Sequence, residues 1–141
     1  MKRPFFIILT VVAIIGIIFP AFAEEDNSPG KVIAYYFHGT MRCPTCHKIE
    51  RYSREAIEAN FKDALASGKL ELRAVNVEDK GNEHFVKDYQ LYTKSLILSL
   101  VKGGKEIKSR NMDKVWEYAG NKQRFIEYVK SGVADLLKEA Q

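Results

Sequence analysis

Val32-Ile33-Ala34-Tyr35-Tyr36-Phe37-His38-Gly39-Thr40-Met41-Arg42-Cys43-Pro44-Thr45-Cys46 is the stretch that decides how this chain is read. Its first six residues are rich in β-branched and aromatic side chains, the composition of a buried strand. Five turn-forming and polar residues follow, His38 to Arg42, and then two cysteines three apart. From Ile49 the apolar period changes. Ile49, Tyr52, Ala56, Ile57, Phe61, Ala64 and Leu65 recur at steps of three and four, one face of a helix predicted from Pro44 to about Ala66. Counting back three from Ile49 puts Cys46 on that inward face. Pro44 suits the first helical position, where its missing N–H leaves no bond unmade. Cys43 is then predicted just outside the first turn, where free N–H groups and the helix dipole favour a thiolate. Two thiols so placed have unequal roles: Cys43, exposed and more acidic, attacks, and Cys46 resolves the mixed disulfide.

The chain of 141 residues opens with Met1-Lys2-Arg3 and then Phe5 to Phe19, apolar but for Thr10 and Gly16. Pro20 breaks the run, and Ala21-Phe22-Ala23 supplies the small-x-small pattern before a cleavage point. Residues 1–23 therefore read as a secretory signal peptide, cut between Ala23 and Glu24. Fifteen apolar residues fall short of the roughly 20 that a spanning helix needs, so an uncleaved anchor is the competing reading and the only one that involves a membrane. Either way the domain is expected outside the cytoplasm, in the periplasm or an equivalent compartment. Setting aside Lys2 and Arg3 leaves 20 basic residues against 18 acidic, a net of +2. That near balance argues for neither nucleic acid nor an anionic lipid surface as a partner.

The two cysteines are the only ones in the chain. A staple is the plain reading of cysteines in an exported domain, yet so short a loop removes only about 2 kcal/mol of unfolded-state entropy, against more than about 4 for a long one. A bridge meant to brace the fold would be spaced widely. The close pair points to redox or ligand chemistry.

Beyond the motif, residues 24–30 are polar and breaker-rich, a linker before a domain spanning 31–141. Gly68 suits the C-terminal cap of the long helix. Leu70 to Val77 reads as a second strand, Asp79 to Asn82 as a turn, and Phe85, Val86 and Tyr89 as the apolar contacts of a short helix. Leu96 to Val101 is a third strand, with Ser99 inside it. Lys102-Gly103-Gly104-Lys105 turns the chain into a hairpin, and Glu106 to Ser109 makes a charged edge strand. Met112 to Tyr118 is one or two helical turns stopped by Gly120. Phe125, Tyr128, Val129, Gly132, Val133, Leu136 and Leu137 form the stripe of a final helix capped by Asn121. The order is β-α-β-α-β-β-α, an α/β chain with both β-α-β steps expected parallel and a central mixed sheet flanked by helices.

Strand, short loop and C-x-x-C at a helix start resemble the thioredoxin-like superfamily. The run Tyr35 to Cys46, with Gln90-Leu91-Tyr92-Thr93-Lys94-Ser95, is similar to a smaller family within it, the nitrophenyl-compound nitroreductase subunits of ArsF type, over roughly Lys31 to Leu137. The resemblance implies a thioredoxin-like fold, a redox-active Cys43/Cys46 disulfide, and a link to arsenic or nitroaromatic redox systems. The partner is then a redox protein, a small thiol or an oxidised substrate, met by a monomer. No cofactor is expected: the chain lacks the phosphate-binding turns that a flavin needs.

Thioredoxins carry a buried acid near the end of the first strand; here Phe37 and His38 stand there, and His38 is the candidate proton carrier. They also place a cis-proline before the third strand, where this chain has Thr93-Lys94-Ser95. Without proline a trans bond is expected, and Lys94 is a candidate cation beside the sulfurs. Arg42 would lower the Cys43 pKa by its charge, Pro44 stiffens the loop, Thr45 offers a hydroxyl and an N–H, and His47 adds positive potential. Two other classes compete. Cys43-Pro44-Thr45-Cys46-His47 is also C-x-x-C-H, the c-type haem attachment sequence, with Met112 as a conceivable axial ligand. Two thiolates three apart can also hold a soft ion such as arsenite or copper(I). A closed zinc site would need His38, His47 or His84 to complete four ligands, and none is expected.

Overall fold

The computed structural model describes residues 28–141, so the leader expected over 1–23 and the stretch 24–27 lie outside the described residues. β1 (Lys31–His38) is the centre of a four-stranded sheet ordered β2-β1-β3-β4. β2 (Leu70–Asn76) lies parallel to β1, with Tyr36 opposite Ala74. β3 (Ser95–Lys102) lies on its other side, with Tyr36 opposite Leu96, and β4 (Lys105–Asn111) closes the sheet as an edge strand. All six residues Val32 to Phe37 are buried, because β1 has a strand on each side and helices on each face.

The second β-α-β step corrects the expectation from sequence, since β3 runs antiparallel to β1 and not parallel. The helix between β2 and β3, α3 (His84–Asp88), has five residues. At 1.5 Å per residue it spans about 7.5 Å, whereas returning past an eight-residue strand takes about 26 Å. The connection therefore starts and ends at the same end of the sheet: Asn76 sits beside His38, and Ser95 beside Phe37. The long helix also differs. It divides at Phe61 (φ −132°, ψ 37°) into α1 (Pro44–Asn60) and α2 (Lys62–Ala66). Just before the break the Asn60 side chain donates to the Ala56 carbonyl at 2.8 Å, competing with the backbone ladder.

One face of the sheet buries Tyr36, Leu96, Leu98 and Leu100 against α1 and α5 (Lys122–Glu139). Ile49, Ala56 and Ile57 come from α1, and Phe125, Val129, Val133 and Leu136 from α5. Asn121 caps α5, accepting from the Arg124 N–H at 3.1 Å, and Gly68 takes φ +73° after α2. The opposite face holds Tyr35, Phe37 and Ile97 beneath Phe85 and Tyr89 of the α3 segment. The expected turn at Gly103-Gly104 takes φ +55° and +76°, the conformation a two-residue hairpin requires. Met112 to Tyr118 yields one turn, α4 (Val115–Tyr118). Within the stretch read as linker, the Ser28 hydroxyl accepts from the Gly103 N–H and the buried Gly30 donates to the Ala140 carbonyl. The strand order, the single parallel pair and the C-x-x-C at the start of α1 make this a thioredoxin-like fold.

Glu71 shows how β2 is tied to β1. It pairs with Arg73 and Lys31, whose hydrogen bonds hold its carboxyl down at about 2, against an ordinary 4.5. A carboxylate lowered in the folded state stabilises the fold above its ordinary pKa and loses that contribution as pH falls towards the folded value. The partners are 34–45% exposed, so screening limits the effect to below about 1 kcal/mol. Glu71→Gln is expected to shrink the stability difference between pH 7 and pH 2 by that order in urea unfolding. An unchanged difference would show that the pairs contribute nothing.

Candidate functional site: the dithiol at the start of the first helix

Cys43 is the N-cap of α1, with extended backbone (φ −81°, ψ 163°), and Pro44 occupies the first helical position. The two cysteines form a disulfide with Cα atoms 5.0 Å apart. Cys43 is exposed, while Cys46, facing the core one turn on, is 1% exposed. The Cys46 N–H points at the Cys43 sulfur, 3.1 Å away. A thiolate on Cys43 would inherit that N–H and the positive end of a 17-residue helix. The geometry makes one sulfur reachable from outside and hides the other.

Three side chains surround this turn from different directions. The Tyr36 hydroxyl, buried beneath α1, donates to the Cys46 carbonyl at 2.7 Å. Burial pushes its pKa up, and the hydrogen bond and charge of Arg42 pull the other way. Arg42 lies over the Tyr36 ring, 5.7 Å from its centroid, and is ion-paired with Glu50 on the second turn of α1. The guanidinium expected to act on Cys43 is therefore shared with a carboxylate. Neither Tyr36 nor Glu50 stood out in the sequence, because one reads as core and the other as a solvated helix face.

The loop between β1 and α1 is fastened from β2. Glu78 accepts from the Thr40 N–H at 3.0 Å, and Asn76 donates to the Thr40 hydroxyl at 3.2 Å. The Thr40 hydroxyl and N–H hold the Glu78 carboxyl below its usual range, with help from the charges of Lys94 and His38. The sequence around His38 contains no carboxylate, and tertiary folding supplies this one. His38 is half-buried, and its Nδ1 donates to the Gly39 carbonyl at 2.9 Å. His38, Thr93, Lys94 and Glu78 line one cavity of about 150 Å³. The cysteines, Arg42, Pro44, Thr45 and His47 are not part of that lining. The charge of Lys94 thus acts on Glu78 inside this cavity.

No cis peptide occurs among the described residues, so Thr93-Lys94-Ser95 is trans as expected. Two hydrogen bonds hold it: the Ser95 hydroxyl donates to the Thr93 carbonyl at 2.9 Å, and the Trp116 indole N–H to the Lys94 carbonyl at 2.8 Å. Through that bond Trp116 anchors this segment.

The haem reading meets two obstacles in the geometry. Cys46 is 1% exposed and would have to leave the core to carry a thioether. Met112, its conceivable ligand, is 1% exposed and packs against Gly132. His47 is exposed on the first turn of α1. Among the described residues no group of three or more His, Cys, Asp or Glu is placed to hold a metal ion.

No protein-family model matches the chain, and no curated protein sequence matches it. Among solved structures, thioredoxin from Fasciola hepatica is similar at 21% identity, with 74% of this chain and 83% of that chain covered and a TM-score of 0.41.

Proposed function

We propose that the protein is a thiol-disulfide oxidoreductase that carries two electrons through Cys43 and Cys46. The observation that supports this most is the asymmetry of the pair: an exposed sulfur at a helix N-cap, bonded to a sulfur 1% exposed behind it. In the reduced protein the Cys43 thiolate attacks a substrate disulfide, forming a mixed disulfide and expelling one thiolate. Cys46, losing its proton, attacks the Cys43 sulfur; the internal disulfide forms and the second thiolate leaves. The substrate gains two electrons, and the dithiol loses two. A reduced thiol or dithiol partner reverses the sequence and reloads the protein.

The finer reading rests on the sequence. The leader over residues 1–23 supports action outside the cytoplasm, and the resemblance over Tyr35 to Cys46 and Gln90 to Ser95 supports service in an arsenic- or nitroaromatic-related redox system. The chain supplies the dithiol, and a separate protein or small molecule supplies or accepts the electrons.

Equilibration in glutathione buffers tests the reading. The expected reduction potential lies between about −270 and −120 mV, the range of exchanging dithiols. A potential below about −300 mV with thiols inert after mild reduction would leave only a structural bridge. Stoichiometric arsenite or copper(I) binding without exchange would make it a binding module.

A further inference from the structure

Arg42 directly precedes the exposed sulfur, and a lone guanidinium there would favour the Cys43 thiolate. It is not alone. Arg42 and Glu50 are ion-paired with side chains only 19% and 22% exposed, so solvent screens the pair poorly. Arg54, the other cation facing Glu50, is farther off at 3.9 Å and 48% exposed. On the other side the Arg42 guanidinium covers the Tyr36 ring, and the Tyr36 hydroxyl holds the Cys46 carbonyl. Arg42, Tyr36 and Glu50 thus bracket the Cys43-Cys46 turn, reaching it from the residue before it, from β1 and from the helix beyond it. Besides these, the ionisable side chains nearest in the chain are the exposed His47 and the half-buried Lys48 and His38.

We propose that Glu50 is the residue that tunes the dithiol: by neutralising Arg42 it withholds positive charge from Cys43 and favours the disulfide over the dithiol. This rests on the oxidoreductase reading. The balance concerns the exchange in which the protein disulfide takes two electrons from two glutathione molecules, giving the dithiol and glutathione disulfide. The Cys43 thiol of the product then releases its proton to water. Any positive charge left near Cys43 stabilises that thiolate and draws the exchange towards the dithiol. With Glu50 ionised, the pair presents little net charge. With Glu50 neutral, Arg42 acts on the sulfur unopposed.

Glu50→Gln is therefore expected to raise the acidity constant of Cys43 by about tenfold, read from thiolate absorbance against pH. The same variant shifts the glutathione equilibrium towards the dithiol. Arg42→Gln, leaving the carboxylate alone, moves both readouts in the opposite sense. The double variant removes both charges and returns close to the wild type. Because the two single variants have opposite signs, either one that retains the wild-type far-ultraviolet dichroism tests the proposal, even if loss of its partner unfolds the other. A purely structural pair would lower the melting temperature and leave acidity and equilibrium unchanged, which overturns the proposal. If the wild-type disulfide itself fails to exchange with glutathione, the oxidoreductase reading has failed. If the wild type exchanges and folded Glu50→Gln matches it, only the role of Glu50 has.

Discussion

Cys46→Ser is expected to turn the protein into a trap that holds its substrate as a mixed disulfide on Cys43. Cys46 is 1% exposed, so an external disulfide cannot approach its sulfur, whereas Cys43 is open to solvent and receives the Cys46 N–H. Resolution in the wild type is intramolecular and enjoys an effective concentration far above that of any free thiol. Removing the inner sulfur hands that step to external thiol at millimolar levels, a loss on the order of 10³-fold in turnover of a small chromogenic disulfide. The trapped adduct is counted by intact mass. Cys43→Ser is expected to lose turnover as completely and to collect no adduct, because the remaining thiol faces the core. Adducts accumulating on Cys46, or turnover near the wild-type rate in either variant, would contradict the division of roles.

Phe125→Ala is expected to cost about 3–5 kcal/mol of stability without touching the dithiol. Phe125 is fully buried at the start of α5 and meets the Tyr52 ring of α1 edge to face, with centroids 5.5 Å apart. Truncation removes the ring from water-excluded space and leaves a void between the helix that carries the cysteines and the helix that holds it down. For a domain of this size the melting temperature should fall by more than about 10 °C. A fall corresponding to less than about 1 kcal/mol would show that the site collapses around the missing ring. The reaction centre depends on the same contact, since α1 keeps its place on the sheet through α5.

Much of this was legible along the chain, for a physical reason. Strand and helix periods, the N-cap position of Cys43, Pro44 at the first helical position, the Asn121 cap and the Gly103-Gly104 turn all depend on residues a few places apart. Local sterics and hydrogen bonds determine such features, and a single segment contains everything they need. The inward placement of Cys46 followed from counting three back from Ile49, and both residues are buried.

What needed the folded chain was direction and pairing. The run of β3 antiparallel to β1 follows from how little chain α3 provides for a return crossing, which strand composition does not reveal. The division at Phe61 reflects a side-chain bond of Asn60 that competes with a helical pattern continuing unbroken through it. Tyr36 reads as core and is core, yet only its position beneath Cys46 makes its hydroxyl part of the site. Glu50 reads as a solvated face until Arg42 folds onto it, eight residues back. Glu78 reaches Thr40 across 38 residues, and Trp116 reaches Lys94 across 22. Charge and hydrogen-bonding capacity are written in each residue, but the partner that neutralises a charge or accepts a proton is chosen by proximity, and proximity across the chain exists only once the sheet has assembled.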